Sequence, residues 1–214
     1  MSNKICNMRI DYSGIDLSKK KLNKNPIKQF NIWFKEARKN KISEPNAMIL
    51  STINKNNFPS SRTVLLKEIN NKGFIFYTNY NSQKAKDIIN NPNVSLNFLW
   101  KKMERQIIIQ GYIKKVSRVK SEEYFKTRSR NSQIAAWASN QSQTISNKKV
   151  LDDNYKDMQL RFKMLKNIPK PDYWGGFLII PKIIEFWQGK KSRLHDRFCY
   201  EKKNNAWKIF RLSP

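Results

Sequence analysis

The residues best suited to chemistry lie in IIEFWQGKKSRLHDRF, from Ile183 to Phe198. Arg193, His195 and Arg197 recur at every second position, so an extended return strand turns all three to one face. His195 is the only histidine of the chain. Two guanidinium groups and an imidazole beside Trp187 suit an anion site better than a core, because buried charge needs compensation. A second constellation is Tyr124, Arg128 and Ser132, each four residues from the next. On a continuous helix they share one stripe, and phenol, guanidinium and hydroxyl together suit an oxyanion or phosphate. A solvated helix face is the plainer explanation of the same triple. Arg62 and Lys67 sit in an apolar stretch, SRTVLLKEI, where either solvent or a bound anion explains them. Lys84 follows Ser82 in a helix first turn, which the helix dipole disfavours unless an anion shares that end. Tyr77 and Thr78 put a hydroxyl pair close by.

These groups need elements to hold them. IIEFWQ alternates with a two-residue period, GlyLysLysSer forms the turn, and the chain returns toward Phe198. Asn25-Pro26 predicts a helix start, with Ile27, Phe30, Phe34 and Ala37 on one apolar face ending near Lys41. AMILSTIN, SRTVLLKEI and FIFYT predict a three-stranded antiparallel meander. Ser82 caps a short helix, QKAKDIIN, stopped at Asn91-Pro92. VSLNFLW and RQIIIQGYIKKV add two strands, the second starting near Gln106. SEEYFKTRSRNSQIAAWAS predicts one helix, and Gln141-Ser142 falls in the polar loop after it. Lys148 to Lys166 is amphipathic, TrpGlyGlyPhe leads into FLIIP, and CYEKK with AWKIFRL closes the chain as a hairpin across Asn204-Asn205. Seven or eight short strands with helices inserted suggest a small closed barrel, a mainly β (α+β) fold.

The bulk composition narrows the function. With 214 residues, 39% hydrophobic and 12% aromatic, the chain can bury a core. Residues 1–24 are polar and basic and read as a flexible arm, leaving residues 25–214 as a single domain. No apolar run is long enough to cross a bilayer, and MSNKICNMRI has no apolar leader, so a cytoplasmic protein is expected. Cys6 and Cys199 fit two free thiols. The net charge of +27 raises nucleic acid as a partner, but the lysines are dispersed among asparagines and isoleucines rather than clustered. Neither nucleic acid nor membrane is expected as a partner. Six glycines supply no GxGxxG or P-loop, one histidine and two scattered cysteines make no metal cluster, and no GxSxG elbow exists.

Six ordered blocks nevertheless resemble one family. IEFWQGKKSRLHDRF is similar to the signature of the pyridoxine (pyridoxamine) 5′-phosphate oxidases. SRTVLLK, FYTNYNSQKA, ERQIIIQG, YFKTRSRNSQIAAWAS and PDYWGGF resemble further blocks in the same order, and AWKIFRLSP extends the match to the end of the chain. The resemblance implies an FMN-binding split β-barrel that works as a homodimer, with each flavin site at the subunit interface. It implies oxidation of pyridoxine 5′-phosphate and pyridoxamine 5′-phosphate to pyridoxal 5′-phosphate. Molecular oxygen accepts the electrons and hydrogen peroxide leaves, with ammonia from the amine. The alternative is a related flavin-binding barrel with another substrate or no catalysis.

Carried over by position, Arg62, Thr63, Val64, Leu65, Leu66, Lys67, Tyr77, Thr78 and Lys84 contact FMN. Gln106, Gln141, Ser142, Trp187 and Arg197 complete that site, in part from the second subunit. Lys67, Tyr124, Arg128 and Ser132 match the holders of the vitamer phosphate. Arg193, Leu194 and His195 match the segment over the pyridine ring, with Arg193 and His195 as the catalytic pair. Arg9, Ile10, Asp11 and Tyr12 match an arm closing over substrate. Where many relatives carry a basic residue beside the phosphate lysine, this chain has Gln83.

Overall fold

Asn25 acts at the first helix as its position predicts. Its side chain accepts hydrogen bonds from the amides of Ile27 and Lys28 at 2.9 and 3.2 Å. Helix α1 (Pro26–Lys39) buries Ile27, Phe30, Trp33 and Ala37. Phe34, expected on that face, is only half-buried, and Trp33 takes its place three residues after Phe30.

The computed structural model describes residues 4–8, 10–204 and 206–214. Among them lie four further helices: α2 (Gln83–Asn90), α3 (Arg118–Thr127), α4 (Arg130–Ala138) and α5 (Lys148–Arg161). The strands are β1 (Ala47–Ile53), β2 (Pro59–Leu65), β3 (Glu68–Asn70), β4 (Gly73–Asn79), β5 (Asn93–Trp100), β6 (Arg105–Lys115), β7 (Trp174–Gln188), β8 (Asp196–Lys203) and β9 (Ala206–Leu212). The chain divides into two compact units, one of Met1–Leu50, Ser95–Gly111 and Pro181–Pro214, the other of Ser51–Val94 and Tyr112–Ile180.

In the first unit β7, β8 and β9 form an antiparallel run, with Trp187 opposite Arg197 and Lys203 opposite Ala206. The hairpin expected at the end of the chain is therefore present. Its core is aromatic: Phe30 meets Phe98 edge-on at 4.9 Å, and Trp33 meets Phe186 at 5.1 Å. Each such ring, fully buried, contributes about 2–3 kcal/mol of transfer free energy.

In the second unit β4 pairs antiparallel with β3 and with the first half of β7. Tyr77 lies opposite Gly176 and Thr78 opposite Gly175. A Cβ at Gly176 would come within 2.7 Å of the Tyr77 ring, and one at Gly175 within 2.2 Å of the Tyr80 hydroxyl. The glycine pair is therefore what lets both tyrosines lie against the sheet. Phe125, Ile134, Phe162, Ile168 and Trp174 form the core beneath the helices.

Four expectations need correction. SRTVLLKEI is two strands: Leu65 and Leu66 turn inward in succession, which breaks the alternation, and Lys67 begins the pairing with β4 by donating to the Ile75 carbonyl at 2.8 Å. Ser61 of β2 meets Ser51 of β1 instead, at 2.8 Å. The stretch from Ser121 to Ser139 is not one helix, because Arg128 is extended (ψ 148°) and Ser129 starts α4 as its cap. Helix α5 stops at Arg161 and buries none of its residues fully; Tyr155 and Met158 pack against the core only in part, and Phe162, just past its end, is the buried member of the stripe. Ser82 precedes α2, but its hydroxyl donates to the Asn79 carbonyl at 2.7 Å rather than accepting from helix amides.

The N-terminal segment carries specific bonds within its own unit. Ser13 N–H donates to Glu104, Leu17 N–H to Asp196 at 2.9 Å, and the Asn23 carbonyl accepts from the Tyr200 hydroxyl at 2.8 Å. Cys6 and Cys199 form no disulfide. Among the described residues no helix is long and apolar enough to cross a membrane.

Candidate functional site

The break between α3 and α4 shapes a cavity within the second unit. Ser129 accepts from the Ser132 amide at 3.4 Å and its hydroxyl lies 2.9 Å from that of Ser132, so α4 starts afresh where a continuous helix would carry on. The turn between the helices still leaves Tyr124, Arg128 and Ser132 around one cavity of about 520 Å³, with Lys67, Tyr77, Thr78, Gln141 and Trp174. The size suits a small organic ligand. The three side chains thus line one cavity, although the single helix expected to carry them is broken.

Arg128 is held by aromatic faces rather than by acids. Its guanidinium carbon stands 4.7 Å from the Trp174 ring centre and 5.6 Å from that of Phe125. Its Nη1 is buried and makes no hydrogen bond. A buried donor left unpaired costs about 1–3 kcal/mol, more when charged, so the geometry calls for an acceptor. Burial lowers the Arg128 pKa from its ordinary value. Tyr77 stacks on Tyr124 at 3.9 Å and 13° and lies nearly parallel to Trp174, making one wall of rings. Burial pushes the Tyr77 phenol up to about 12, so it remains a neutral donor.

A second cation cluster adjoins Thr78 and Gln141. Lys84 Nζ donates to Gln141 Oε1 at 3.1 Å, Ser82 Oγ at 3.2 Å and Thr78 Oγ1 at 3.4 Å, all uncharged. Burial and then the neighbouring Arg62 lower its pKa to about 8, with Asp87 opposing. Arg62 donates to Thr52 Oγ1 at 2.7 Å and Ser60 Oγ at 2.6 Å, on the more buried side of β2 as its alternation predicts. Thr63 is exposed, Val64 half-buried and Leu66 buried, while Leu65 reaches the cavity. Ser142 is exposed and has positive φ (69°).

The remaining groups belong to the first unit, and there the expected common face fails. Lys191–Arg193 is a 3₁₀ turn with Ser192 and Arg193 at φ 54° and 61°, and β8 starts only at Asp196. Arg193 and His195 therefore leave the turn, not the strand. With Ile10, Asp11, Tyr12, Trp187 and Lys190 they line a cavity of about 580 Å³. Arg197, on β8, lies outside that lining and is bound by Glu185 at 2.7 and 3.1 Å and by the Ser213 carbonyl at 2.8 Å. Leu194 is exposed and also outside it, Trp187 is half-buried, and Gln106 donates to Asn97 at 3.0 Å. Arg9 lies outside the described residues.

His195 is oriented from two sides. Its Nδ1 accepts from the Lys190 amide at 3.1 Å, which puts the hydrogen of the neutral ring on Nε2. Its ring lies 4.7 Å from Trp187 and 5.6 Å from Tyr12. Burial first and Arg193 second lower its pKa.

Several contributors escaped the sequence. Trp174 shows only as an aromatic before two glycines, and Ser129 only as a polar residue in a presumed helix. Asp87 follows Gln83 by one helical turn, a spacing that signals a pair. Gln83 Nε2 donates to Asp87 Oδ1 at 2.8 Å.

Comparison with known proteins follows the same outline. Residues 34–162 match the family described as pyridoxamine 5′-phosphate oxidase, and residues 174–214 the pyridoxine 5′-phosphate oxidase C-terminal dimerisation region. The chain is 48% identical to pyridoxine/pyridoxamine 5′-phosphate oxidase 2 of Hydrogenovibrio crunogenus, across 100% of both chains. It is 48% identical to the pyridoxine/pyridoxamine 5′-phosphate oxidase of Teredinibacter turnerae, over 97% of this chain and 98% of that one. Among solved structures, PhzG from Burkholderia lata 383, in complex with tetrahydrophenazine-1-carboxylic acid, shares 25% identity at a TM-score of 0.88, covering 96% of this chain and all of that one. A pyridoxamine 5′-phosphate oxidase-related, FMN binding protein from Nostoc punctiforme shares the fold at 14% identity and TM-score 0.69, over 94% and 100% of the chains.

Proposed function

The chain belongs to the pyridoxamine 5′-phosphate oxidase family and is an oxidoreductase, and we propose that it oxidises pyridoxine 5′-phosphate and pyridoxamine 5′-phosphate to pyridoxal 5′-phosphate. FMN is its flavin and oxygen the final acceptor, giving hydrogen peroxide and, from the amine, ammonia. The supporting observation is the unpaired Nη1 of Arg128 in a cavity that also holds Lys67, Tyr124 and Ser132. Those four groups bind the vitamer phosphate, which carries nearly two negative charges at neutral pH.

The residues present also fit a second phosphate. Lys84 is half-buried among uncharged oxygens beside Arg62, an arrangement that an added anion stabilises. Arg62 and Lys84 therefore hold the flavin phosphate. Thr63 to Lys67, Tyr77 and Thr78 border the flavin, and Gln106, Gln141, Ser142, Trp187 and Arg197 complete its site, in part from the second subunit of a homodimer. When bound, FMN supplies the acceptor for the hydride leaving the substrate.

Arg193 and His195 orient the pyridine ring. Neutral His195 donates from Nε2, since Nδ1 is occupied by the Lys190 amide. Residues 1–24 act as the arm over the bound vitamer, with Arg9, Ile10, Asp11 and Tyr12 nearest it, and residues 25–214 as the FMN-binding split-barrel domain of a cytoplasmic enzyme. The test is turnover by FMN-loaded protein with each vitamer, following peroxide and pyridoxal 5′-phosphate. Product from both phosphorylated vitamers and almost none from free pyridoxine is expected. No peroxide with either phosphorylated vitamer would reject the activity.

A further inference from the structure

We propose that Asp87 is a positioning residue that aims Arg62 at the phosphate of the flavin, with Thr52 as the link and Gln83 as its second partner. The inference rests on the cofactor site proposed above. Asp87 is 1% exposed, on a helix whose outer face is solvated. A carboxylate so buried persists only where its oxygens are satisfied, and both are. Oδ2 accepts from Thr52 Oγ1 at 2.8 Å and lies 3.8 Å from Arg62 Nη2; Oδ1 accepts from Gln83 Nε2 at 2.8 Å.

Thr52, likewise 1% exposed, has one hydroxyl hydrogen, and giving it to Asp87 leaves its oxygen free to accept from Arg62 Nη1 at 2.7 Å. Asp87 thereby fixes the direction of the Thr52 hydroxyl, and the hydroxyl fixes the guanidinium. With each oxygen engaged and the side chain buried, Asp87 acts through its charge on the neighbouring cation Arg62. At Lys84 its negative charge opposes the effect of the neighbouring Arg62. Gln83 completes this arrangement as a neutral donor. A cation there would compete with Arg62 for the same carboxylate, so the neutral amide of Gln83 leaves Asp87 committed to Arg62.

The test compares FMN with riboflavin, which lacks the phosphate, by quenching of flavin fluorescence on apoprotein. The unaltered protein, Asp87→Asn and Thr52→Val are titrated, with thermal unfolding as the check on folding. Each variant is expected to lose about tenfold or more in FMN affinity while riboflavin affinity is unchanged, and Asp87→Asn in an Arg62→Ala background is expected to cost nothing further. FMN preference unchanged in both folded variants would overturn the inference alone, as would equal loss for both flavins or full additivity with Arg62→Ala. Failure of the unaltered protein to bind either flavin would overturn the cofactor reading and this inference with it.

Discussion

Arg128 lies over Trp174, its guanidinium carbon 4.7 Å from the ring centre, with Nη1 buried and without a hydrogen-bond partner. The ring fixes the plane of the guanidinium while leaving its donors to the cavity, an arrangement that lysine cannot reproduce. Replacing Arg128 by Lys or Ala is expected to raise KM for the phosphorylated vitamers, with a smaller effect on kcat. A charge-assisted hydrogen bond is worth about 2 kcal/mol, so the rise is roughly 30-fold. Steady-state kinetics check this, and an unchanged KM would remove Arg128 from the phosphate site.

Lys84 gives the binding of FMN a pH dependence. Its pKa in the free protein is lowered to about 8 by burial and by Arg62. Phosphate binds the charged form and so raises that pKa in the complex. FMN affinity is therefore expected to be flat below pH 8 and to fall above it, by up to tenfold per pH unit. Riboflavin affinity is expected to show no such fall. Fluorescence titration across pH 6.5–9.5 checks both, the range being chosen as about 1.5 units either side of the lowered value.

His195 and Arg193 are expected to act on turnover rather than on the cofactor. Protonating His195 breaks its bond from the Lys190 amide, and burial with Arg193 holds its pKa below the ordinary imidazole range. Activity is thus expected to be level through neutral pH and to decline only in acid. Arg193→Ala is expected to lower kcat by roughly 100-fold while FMN stays bound. Loss of FMN instead would place Arg193 at the flavin.

Gly14 tests the arm. A Cβ there would fall 2.1 Å from the Gly189 carbonyl oxygen and 2.3 Å from Gln188 Nε2, contacts that backbone must move to relieve. Gly14→Ala is expected to displace Tyr12 from His195 and Trp187 and to raise KM severalfold. FMN affinity, measured on the apoprotein, is expected to be unaltered.

What the sequence reveals here depends on whether a signal is local. The β7–β8 hairpin follows from a two-residue period, and α1 from Asn25-Pro26 and its apolar spacing, so both are legible. The break at Arg128–Ser129 is not, because Tyr124, Arg128 and Ser132 fit a continuous helix equally well and Ser129 decides the matter by capping α4. The spacing of Arg193 and His195 predicts a strand and cannot register two residues of positive φ in the turn. Asp87 looks from its neighbours like a solvated helix charge; only the packing of Thr52 and Arg62 against it shows otherwise. Residue types were sufficient to suggest phosphate, while the relays that aim those residues are set by tertiary contacts.

The most direct measurement is the visible spectrum of the purified, FMN-loaded protein before and after anaerobic addition of pyridoxine 5′-phosphate. A flavin band that bleaches on addition and returns with air is the expected result. A flavin band left unchanged by both phosphorylated vitamers, or a protein that retains no flavin, would contradict the proposed oxidase.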